Sequence, residues 1–225
     1  MPSGLKRTLG ASTARESESV RENLLAAARR LFAEKGFDGV SVKDLANATG
    51  HNAALVNYYF KSKEGLYREC VMPLLGAGMA NAECTLRPAT CRQDFLTRFE
   101  LFVENFIVSH LREQDVCVIL HRDLHTEVVK QLFKDHLLCL GDHLHVFLEA
   151  AKKRKILRQD LDPAFLTHVV GLCLFQLITL DRFRSEIGEP TFLDDKQRAS
   201  TIRQITTLLL HGLVAPEKKP THVGR

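Results

Sequence analysis

The sequence contains no tryptophan and only three tyrosines, against 13 phenylalanines. It also shows no internal repeat and none of the alternation between apolar and polar residues that is typical of strands. Apolar residues, which make up 45% of the chain, recur instead at helical spacing. These features predict an all-α protein whose helices pack through leucine and phenylalanine. A chain of 225 residues can form one large domain or two small ones.

The motifs of several common enzyme classes are missing as well. The sequence has no G-x-S-x-G, no H-E-x-x-H, no phosphate-binding loop and no glycine-rich dinucleotide turn. We therefore predict that the protein is not an enzyme and that it needs no cofactor. No two of its cysteines form a C-x-x-C pair, which favours reduced thiols in a cytoplasmic protein. The six cysteines are Cys70, Cys84, Cys91, Cys117, Cys139 and Cys173.

Targeting signals are the third absence. The amino terminus has no apolar stretch like that of a signal peptide. A membrane-spanning helix needs about 20 predominantly apolar residues, and we expect none of the apolar stretches in this chain to act as one. The sequence therefore predicts a cytoplasmic protein without a membrane partner.

Positive charge is concentrated in the amino-terminal third. Residues 1–72 contain 11 basic and 8 acidic side chains, which accounts for three of the four net positive charges. Such a region suits a polyanionic partner. Residues 1–17 are rich in Ser, Gly and Thr and lack apolar periodicity, so we predict a disordered basic arm there. The arm is either a contact to DNA phosphates or the minor groove, or a solvated tail without a role.

The most informative stretch spans residues 41–67. Ser41-x-x-Asp44 is a capping box, which marks the start of a helix, and Gly50 ends that helix after about two turns. Asn52 is the predicted N-cap of a second helix of similar length. Two short helices joined by a tight turn with glycine form a helix-turn-helix, whose second helix can enter the major groove of DNA.

Side chains on and beside this second helix are the candidates for DNA contact. Small residues at its start let the backbone approach the groove, an alanine methyl can read a thymine methyl, and Asn57 can pair with adenine. Tyrosine hydroxyls, and a lysine at the start of the next helix, suit phosphate. Tyr58 has an alternative role, which is packing against the first helix. The predicted DNA-binding residues are Ser41, Lys43, Asn52, Ala53, Asn57, Tyr58, Tyr59 and Lys63.

The same region resembles the TetR (tetracycline-repressor) family of bacterial regulators. The resemblance implies a helix-turn-helix domain followed by a larger helical domain for an effector and for dimerisation. It also implies that Tyr59 and Lys63 contact phosphate. Asn57 departs from the pattern, because the family usually has a tyrosine there. The matching fragments are Ala27 to Gly36 (AARRLFAEKG), Val42 to Ala46 (VKDLA), Gly50, and Asn57-Tyr58-Tyr59-Phe60 followed by Lys63-Glu64.

The resemblance extends to the layout of the carboxy-terminal half. Asp162 and Pro163 mark the start of a helix that is nearly all apolar to about residue 185, and a last helix follows at about 195–213. If such a surface were exposed, the protein would aggregate. Coverage by a partner surface is therefore a simpler explanation than burial within one chain. In the TetR family, these last two helices pair with those of a second subunit. We assign the homodimer interface to Leu172, Leu177, Ile205 and Leu209.

The effector site is predicted on the phenylalanine-rich helices that would enclose a TetR-type cavity. A metal-sensing alternative is also open, because His136, Cys139 and His143 share one helix face at spacing i, i+3, i+7. Redox sensing by cysteine and a helix-turn-helix that binds protein are further alternatives. The predicted ligand-binding residues are Phe102, Phe106, His121, Phe133, His136, Phe175 and Gln176.

The sequence thus predicts a dimeric DNA-binding transcriptional regulator. It would act as a repressor that leaves a pseudo-palindromic double-stranded operator when a small apolar or amphipathic effector binds. The expected domains are the basic arm at 1–17, the helix-turn-helix domain at 18–65, the effector and dimerisation domain at 66–214, and a disordered tail at 215–225.

Overall fold

The computed structural model describes residues 6–194 and 196–214, and this part of the chain is helical without a β-strand. The all-α prediction is confirmed. A π-helical segment, Phe133–Leu137, lies between the seventh and eighth helices. The α-helices are α1 (Lys6–Lys35), α2 (Val42–Thr49), α3 (Ala53–Phe60), α4 (Lys63–Thr85), α5 (Arg92–Arg112), α6 (Gln114–Arg122), α7 (Glu127–Leu132), α8 (Leu138–Lys153), α9 (Pro163–Glu186) and α10 (Arg198–Leu213).

Helix α1 begins earlier than its apolar pattern predicts. The apolar face starts near Val20, yet the helix covers residues 6–17, for which the sequence predicted a disordered arm. Adding a residue to an existing helix avoids the cost of nucleation, so a polar segment can continue a helix whose packed turns lie further along. Residues 1–5 and the predicted tail at 215–225 lie outside the described part of the chain.

The caps of the helix-turn-helix form as the sequence predicts. The Ser41 side chain accepts a hydrogen bond from the Asp44 N–H at 3.1 Å, and the Asp44 carboxylate accepts from the Ser41 N–H at 2.8 Å. Gly50 ends α2 in the left-handed region, at φ 68°, where a side chain is disfavoured. The Asn52 side chain caps α3 by accepting from the Ala54 N–H at 2.9 Å.

Two predicted helices differ in their continuity. Pro73 predicts a kink or a break of the helix near Met72. The structure shows no break, because α4 runs through the proline to Thr85. Apolar residues at helical spacing predict one helix from about 126 to 155. The structure has α7, the π-helical segment and α8 there instead. A π turn holds one residue more than an α turn and so rotates the helix face. The rotation matches the packing, because α7 and α8 contribute to different cores.

The chain forms two compact units with separate cores. The first unit contains the chain up to residue 75 together with residues 113–133; the second contains residues 76–112 and the chain from 134 onward. This division differs from the predicted boundary at residue 65, because buried residues of α4, α6 and α7 close the core under the helix-turn-helix. The first core includes Leu24, Phe32, Leu45, Val56, Phe60, Tyr67, Cys70, Val116, Ile119, Val129 and Leu132.

The second unit packs around phenylalanines of α5 and α8. The rings of Phe95 and Phe147 stack with centroids 4.8 Å apart, and α9 contributes the buried Val170 and Leu174. The start of α9 is as predicted, with the Asp162 side chain accepting from the Ala164 N–H at 3.0 Å. α9 is also the most apolar helix of the described residues that is long enough to span a membrane. By length and composition it could cross a membrane, although a soluble core helix passes the same test, and 28% of its most apolar window is buried in one chain.

Candidate nucleic-acid interface

The recognition helix α3 has one buried and one open face. Val56 is fully buried and Phe60 is 4% exposed, which fixes the inner face in the first core. Asn57 and Tyr58 point the other way, and Tyr58 is 76% exposed. Packing of Tyr58 in the core, the alternative for this residue, is therefore not what the structure shows. The open face thus presents an amide and a phenol, two groups that can bind bases and phosphates.

Tyr59 lies at the edge of this face and is half-buried. Its hydroxyl group is 3.0 Å from the hydroxyl of Ser17 on α1. Its ring meets the Tyr58 ring edge-on, with centroids 4.9 Å apart. Nearby, the guanidinium of Arg21 lies 5.3 Å from the Phe60 ring centroid and forms an ion pair with Glu69. α1 thus holds the carboxy-terminal end of α3 through both a hydroxyl pair and a cation–π contact.

The residues predicted before α3 are largely exposed, but two of them already serve as caps. Ser41, Lys43 and Asn52 are exposed, and Ala53 is half-buried. The Ser41 hydrogen bonds hold the pKa of the Asp44 carboxyl below its usual value. Ser41 and Asn52 therefore fix the starts of α2 and α3 beside the open face, whatever further contacts they make.

Lys63 is engaged inside the protein. Its ammonium donates to the backbone carbonyls of Phe37 at 3.0 Å and of Val40 at 3.1 Å. It also lies 4.1 Å from the centroid of the Phe37 ring. These partners belong to the turn between α1 and α2. The phosphate contact predicted for Lys63 stays a prediction, and the structure adds a second role that the sequence did not indicate.

Sequence reasoning missed a polar pair at the end of α6. Asp123 is 2% exposed, and its two carboxylate oxygens accept the Phe37 N–H at 3.0 and 3.1 Å. Arg122 donates to the carbonyl of Ala33 at 3.0 Å and to that of Glu34. Burial, and then the negative charge of Asp123, raise the pKa of Tyr67 far above its usual value. No motif indicates this pair, because its partners lie almost 90 positions earlier in the chain.

The predicted ligand-binding residues are divided between the two units. Phe102 is buried in the second core with Phe106 packed against it, whereas Phe133 packs against the first core. His121 is exposed, and His136, Phe175 and Gln176 are exposed or half-buried. The Phe106 ring is covered by His110, whose ring centroid is 4.0 Å away. Burial lowers the pKa of His110 below its usual value.

A cavity of about 680 Å³ lies elsewhere in the second unit. Its lining combines two guanidinium groups and a carboxylate with apolar side chains. One guanidinium, that of Arg158, already binds the Asp160 carboxylate at 2.6 and 3.2 Å. None of the residues predicted to bind the effector belongs to this lining. The lining residues are Arg92, Leu96, Glu100, Arg158, Thr207, Leu210 and Val214.

The histidine and cysteine residues of the metal-sensing alternative make other contacts. Nδ1 of His143 is 2.8 Å from the Cys139 carbonyl oxygen, and Sγ of Cys139 donates to the Asp135 carbonyl at 3.5 Å. Within residues 6–194 and 196–214, no group of three or more His, Cys, Asp or Glu side chains is arranged to hold a metal ion.

An apolar surface is exposed along α9 and α10. Of the four residues predicted for the dimer interface, Leu172 is 60% exposed, whereas Leu177, Ile205 and Leu209 are half-buried. Leu177 and Leu209 pack against the second core, so they are only partly available to a partner. Leu208 is 75% exposed and was not predicted. Other exposed apolar residues of α9 are Phe165, Leu180 and Phe183.

Known proteins show similarity both to the amino-terminal unit and to the whole chain. Residues 24–70 match the family model described as bacterial regulatory proteins, tetR family. The repressor NicS of Pseudomonas putida, an HTH-type transcriptional repressor, is 25% identical over 209 residues. That alignment covers 89% of this chain and 95% of NicS.

Two solved structures show the same fold. The TetR family transcriptional regulator PfmR of Thermus thermophilus aligns with a TM-score of 0.67 at 23% identity, over 85% of this chain and 99% of that one. The transcriptional regulator FadR of Bacillus subtilis, solved in complex with stearoyl-CoA, aligns with a TM-score of 0.66 at 14% identity. That alignment covers 85% of this chain and 98% of FadR.

Proposed function

Because this chain is a DNA-binding transcriptional regulator of the TetR family and not an enzyme, we propose that it acts as a homodimeric repressor. It binds a pseudo-palindromic double-stranded operator through α3 and leaves that operator when a small ligand binds. The proposed site of action is the cytoplasm, where the DNA of a bacterium is found.

The observation that carries this proposal is the open face of α3. Asn57 and Tyr58 are exposed there while Val56 and Phe60 of the same helix are buried, so the helix is anchored on one side and free on the other. Asn57 is the proposed base-reading residue, because an amide can form a bidentate pair with adenine. Tyr58 and Tyr59 are the proposed phosphate contacts.

Dimerisation is proposed through α9 and α10. Leu172 and Leu208 are large apolar side chains that a single chain leaves mostly exposed. A second copy of the same surface would cover them around a two-fold axis, as is usual for soluble homodimers. Two-fold symmetry then requires two operator half-sites whose centres are about 34–36 Å apart, or a multiple of that distance.

The proposed effector is apolar or amphipathic, and its proposed site is in the second unit. Support comes from the phenylalanines of α5, since Phe106 is packed beside His110, where an aromatic and a polar group lie together. FadR, which shares the fold, was solved with stearoyl-CoA, so a ligand of this kind fits such a domain. The repressor action is supported by NicS, which is a repressor.

A mobility-shift assay with the intergenic DNA upstream of the protein's own gene tests the proposal. We expect binding that weakens with salt and that random duplex competes for poorly, because phosphate contacts alone would not distinguish sequences. Equal binding to both duplexes would mean that the protein binds DNA without preference for an operator sequence. No binding to either duplex would favour a helix-turn-helix that binds protein.

Adding stearoyl-CoA as a probe tests the effector. The expected result is a higher melting temperature together with release of the DNA, because a ligand that binds one state shifts the population toward that state. Release by Zn²⁺ alone, abolished by Cys139→Ser, would instead support metal sensing. Release by a thiol oxidant alone would support redox sensing.

A further inference from the structure

The turn between α1 and α2 leads directly into the helix-turn-helix, and one residue in it is held from two sides. The Phe37 N–H donates to the carboxylate of Asp123, which follows α6. The Phe37 carbonyl accepts from the ammonium of Lys63, which begins α4. The Phe37 ring lies under that ammonium and edge-on to the Tyr67 ring, with 5.2 Å between ring centroids. Both backbone groups and the side chain of Phe37 are thus fixed by residues outside the turn.

Gly36 packs so closely against the Asp123 carboxylate that a side chain at position 36 would meet it. A Cβ atom on Gly36 would lie 2.8 Å from Oδ1 of Asp123, and Gly36 has φ of +74°. Both facts favour glycine at position 36: a Cβ atom would crowd the carboxylate, and a positive φ disfavours any side chain. Arg122 adds its hydrogen bonds to the Ala33 and Glu34 carbonyls, which lie in the last turn of α1, where carbonyls lack partners within the helix.

Burying a carboxylate is unfavourable unless its oxygens are satisfied. Asp123 is 2% exposed, and both of its oxygens accept the same backbone N–H. An apolar residue would fill the same space without that cost, so the contact points to a requirement for one geometry of the turn. The geometry of the turn in turn sets where α2 and α3 begin relative to α1.

We propose that Asp123 and Lys63 are positioning residues for DNA recognition, which fix the turn at Phe37 and thereby aim α3 without contacting DNA. The inference rests on the proposed function, in that α3 is the helix that reads the operator. For Lys63 it differs from the phosphate contact that the resemblance implies.

Asp123→Asn is the first test, because it keeps the shape and one acceptor but removes the charge. The probe is the duplex that the wild-type protein selects from a random-sequence library. We expect binding about tenfold weaker, the factor that matches the change of one charge-assisted hydrogen bond into a neutral one. Removing a negative charge alone would strengthen binding to a polyanion, so the expected sign is opposite to the simple electrostatic effect.

Asp181→Asn is the matched control. Asp181 is 6% exposed and, like Asp123, its carboxylate accepts backbone N–H groups, those of Phe192 at 2.5 Å and Leu193 at 3.2 Å, but it lies in the second unit. We expect both variants to have a lower melting temperature, and only Asp123→Asn to bind DNA more weakly. Sedimentation checks that both variants are still dimers. Equal loss of affinity in the two variants would overturn the inference, as would wild-type affinity in Asp123→Asn.

Lys63→Met separates positioning from phosphate contact. Methionine keeps most of the length of the side chain without its charge. If Lys63 only positions the turn, affinity falls while the dependence of log K on log salt keeps its slope. A lost phosphate contact would instead reduce the slope by about one for each contact, and that result would overturn the inference for Lys63.

Amide hydrogen exchange keeps this inference separate from the proposed function. Without any DNA, Asp123→Asn should speed exchange at Phe37 and across residues 41–50, and leave α9 at the wild-type rate. If the wild type selects no duplex but this change in exchange occurs, the proposed function fails and the positioning contact stands. If exchange is unchanged, the positioning role is wrong whether or not DNA binds.

Discussion

The hydroxyl groups of Ser17 and Tyr59 are 3.0 Å apart and join α1 to the last turn of α3. Tyr59 thus has a partner within the protein before any DNA is bound. A hydroxyl both donates and accepts, so the pair leaves Tyr59 able to form one more hydrogen bond, for example to a phosphate oxygen. The recognition helix therefore has one of its proposed DNA contacts oriented in advance by the first helix.

Tyr59→Phe should weaken binding to both the selected and a random duplex by about 1 kcal/mol, because a phosphate contact carries little sequence information. Ser17→Ala is the companion variant, since it removes the internal partner and leaves the tyrosine hydroxyl in place. We expect a smaller loss for Ser17→Ala, measured by fluorescence anisotropy at fixed salt. A loss for Ser17→Ala as large as that for Tyr59→Phe would mean that the Tyr59 hydroxyl acts mainly by holding α1 and not by contacting phosphate.

Asn57→Ala should cost about 1–3 kcal/mol on the selected duplex and little on random DNA, because only a base contact depends on sequence. Asn23→Ala is the control, as Asn23 is an exposed asparagine of α1. Competition binding with the two duplexes measures the ratio of affinities. A uniform loss on both would reassign Asn57 from reading bases to holding the backbone.

Leu172→Glu and Leu208→Glu should dissociate the dimer, because each would bury a charge without a partner, at a cost on the order of 3–5 kcal/mol. The control is Leu138→Glu on α8, where leucine is 61% exposed on a different helix. Sedimentation at micromolar concentration should give twice 25.4 kDa for the wild type and the control, and 25.4 kDa for the two variants. If the wild type sediments as a monomer, the proposed dimer interface on α9 and α10 is wrong.

The stability of the second unit should fall in mild acid because of His110. Burial lowers the pKa of His110 below 6.5, so the unfolded chain takes up a proton more readily than the native one. The contribution is complete above pH 6.5 and is lost as the pH falls below that value. Urea unfolding at a series of pH values measures the free energy of unfolding, and His110→Gln should flatten its decline.

His143→Gln is the matched control for that experiment. His143 makes the same kind of contact, since its Nδ1 is 2.8 Å from the Cys139 carbonyl four residues earlier, but this contact is exposed to solvent, whereas that of His110 is partly buried. We expect its pH profile to follow the wild type. An unchanged profile in His110→Gln would mean that another group titrates on unfolding.

Local signals predicted the local structure well. The capping box at Ser41, the glycine at position 50 and the caps at Asn52 and Asp162 all form, because each depends on residues within a few positions. The start of α1 was not predictable in the same way. Apolar periodicity reports which turns are packed, and a helix can continue past its packed turns.

Contacts between distant parts of the chain were beyond the sequence pattern. The role of Lys63 beside Phe37 and Val40 depends on how the turn folds back, and Asp123 looks like any acidic residue in a loop. The interface residues show the same limit. Periodicity placed Leu177 and Leu209 on apolar helices, but only the packing of the second core shows that Leu208 is the more exposed.

The assignment of residues 113–133 to the amino-terminal unit has a consequence for protein engineering and for synthesis on the ribosome. Val116, Ile119 and Val129 complete the core under the helix-turn-helix, so residues 1–75 alone would leave apolar faces of α1 and α4 uncovered. A chimera that exchanges only the first 75 residues between two regulators would pair a foreign helix-turn-helix with mismatched α6 and α7. A graft that keeps its own residues 113–133 should fold better. During translation, the DNA-reading unit likewise cannot be complete until residues 113–133 have left the ribosome.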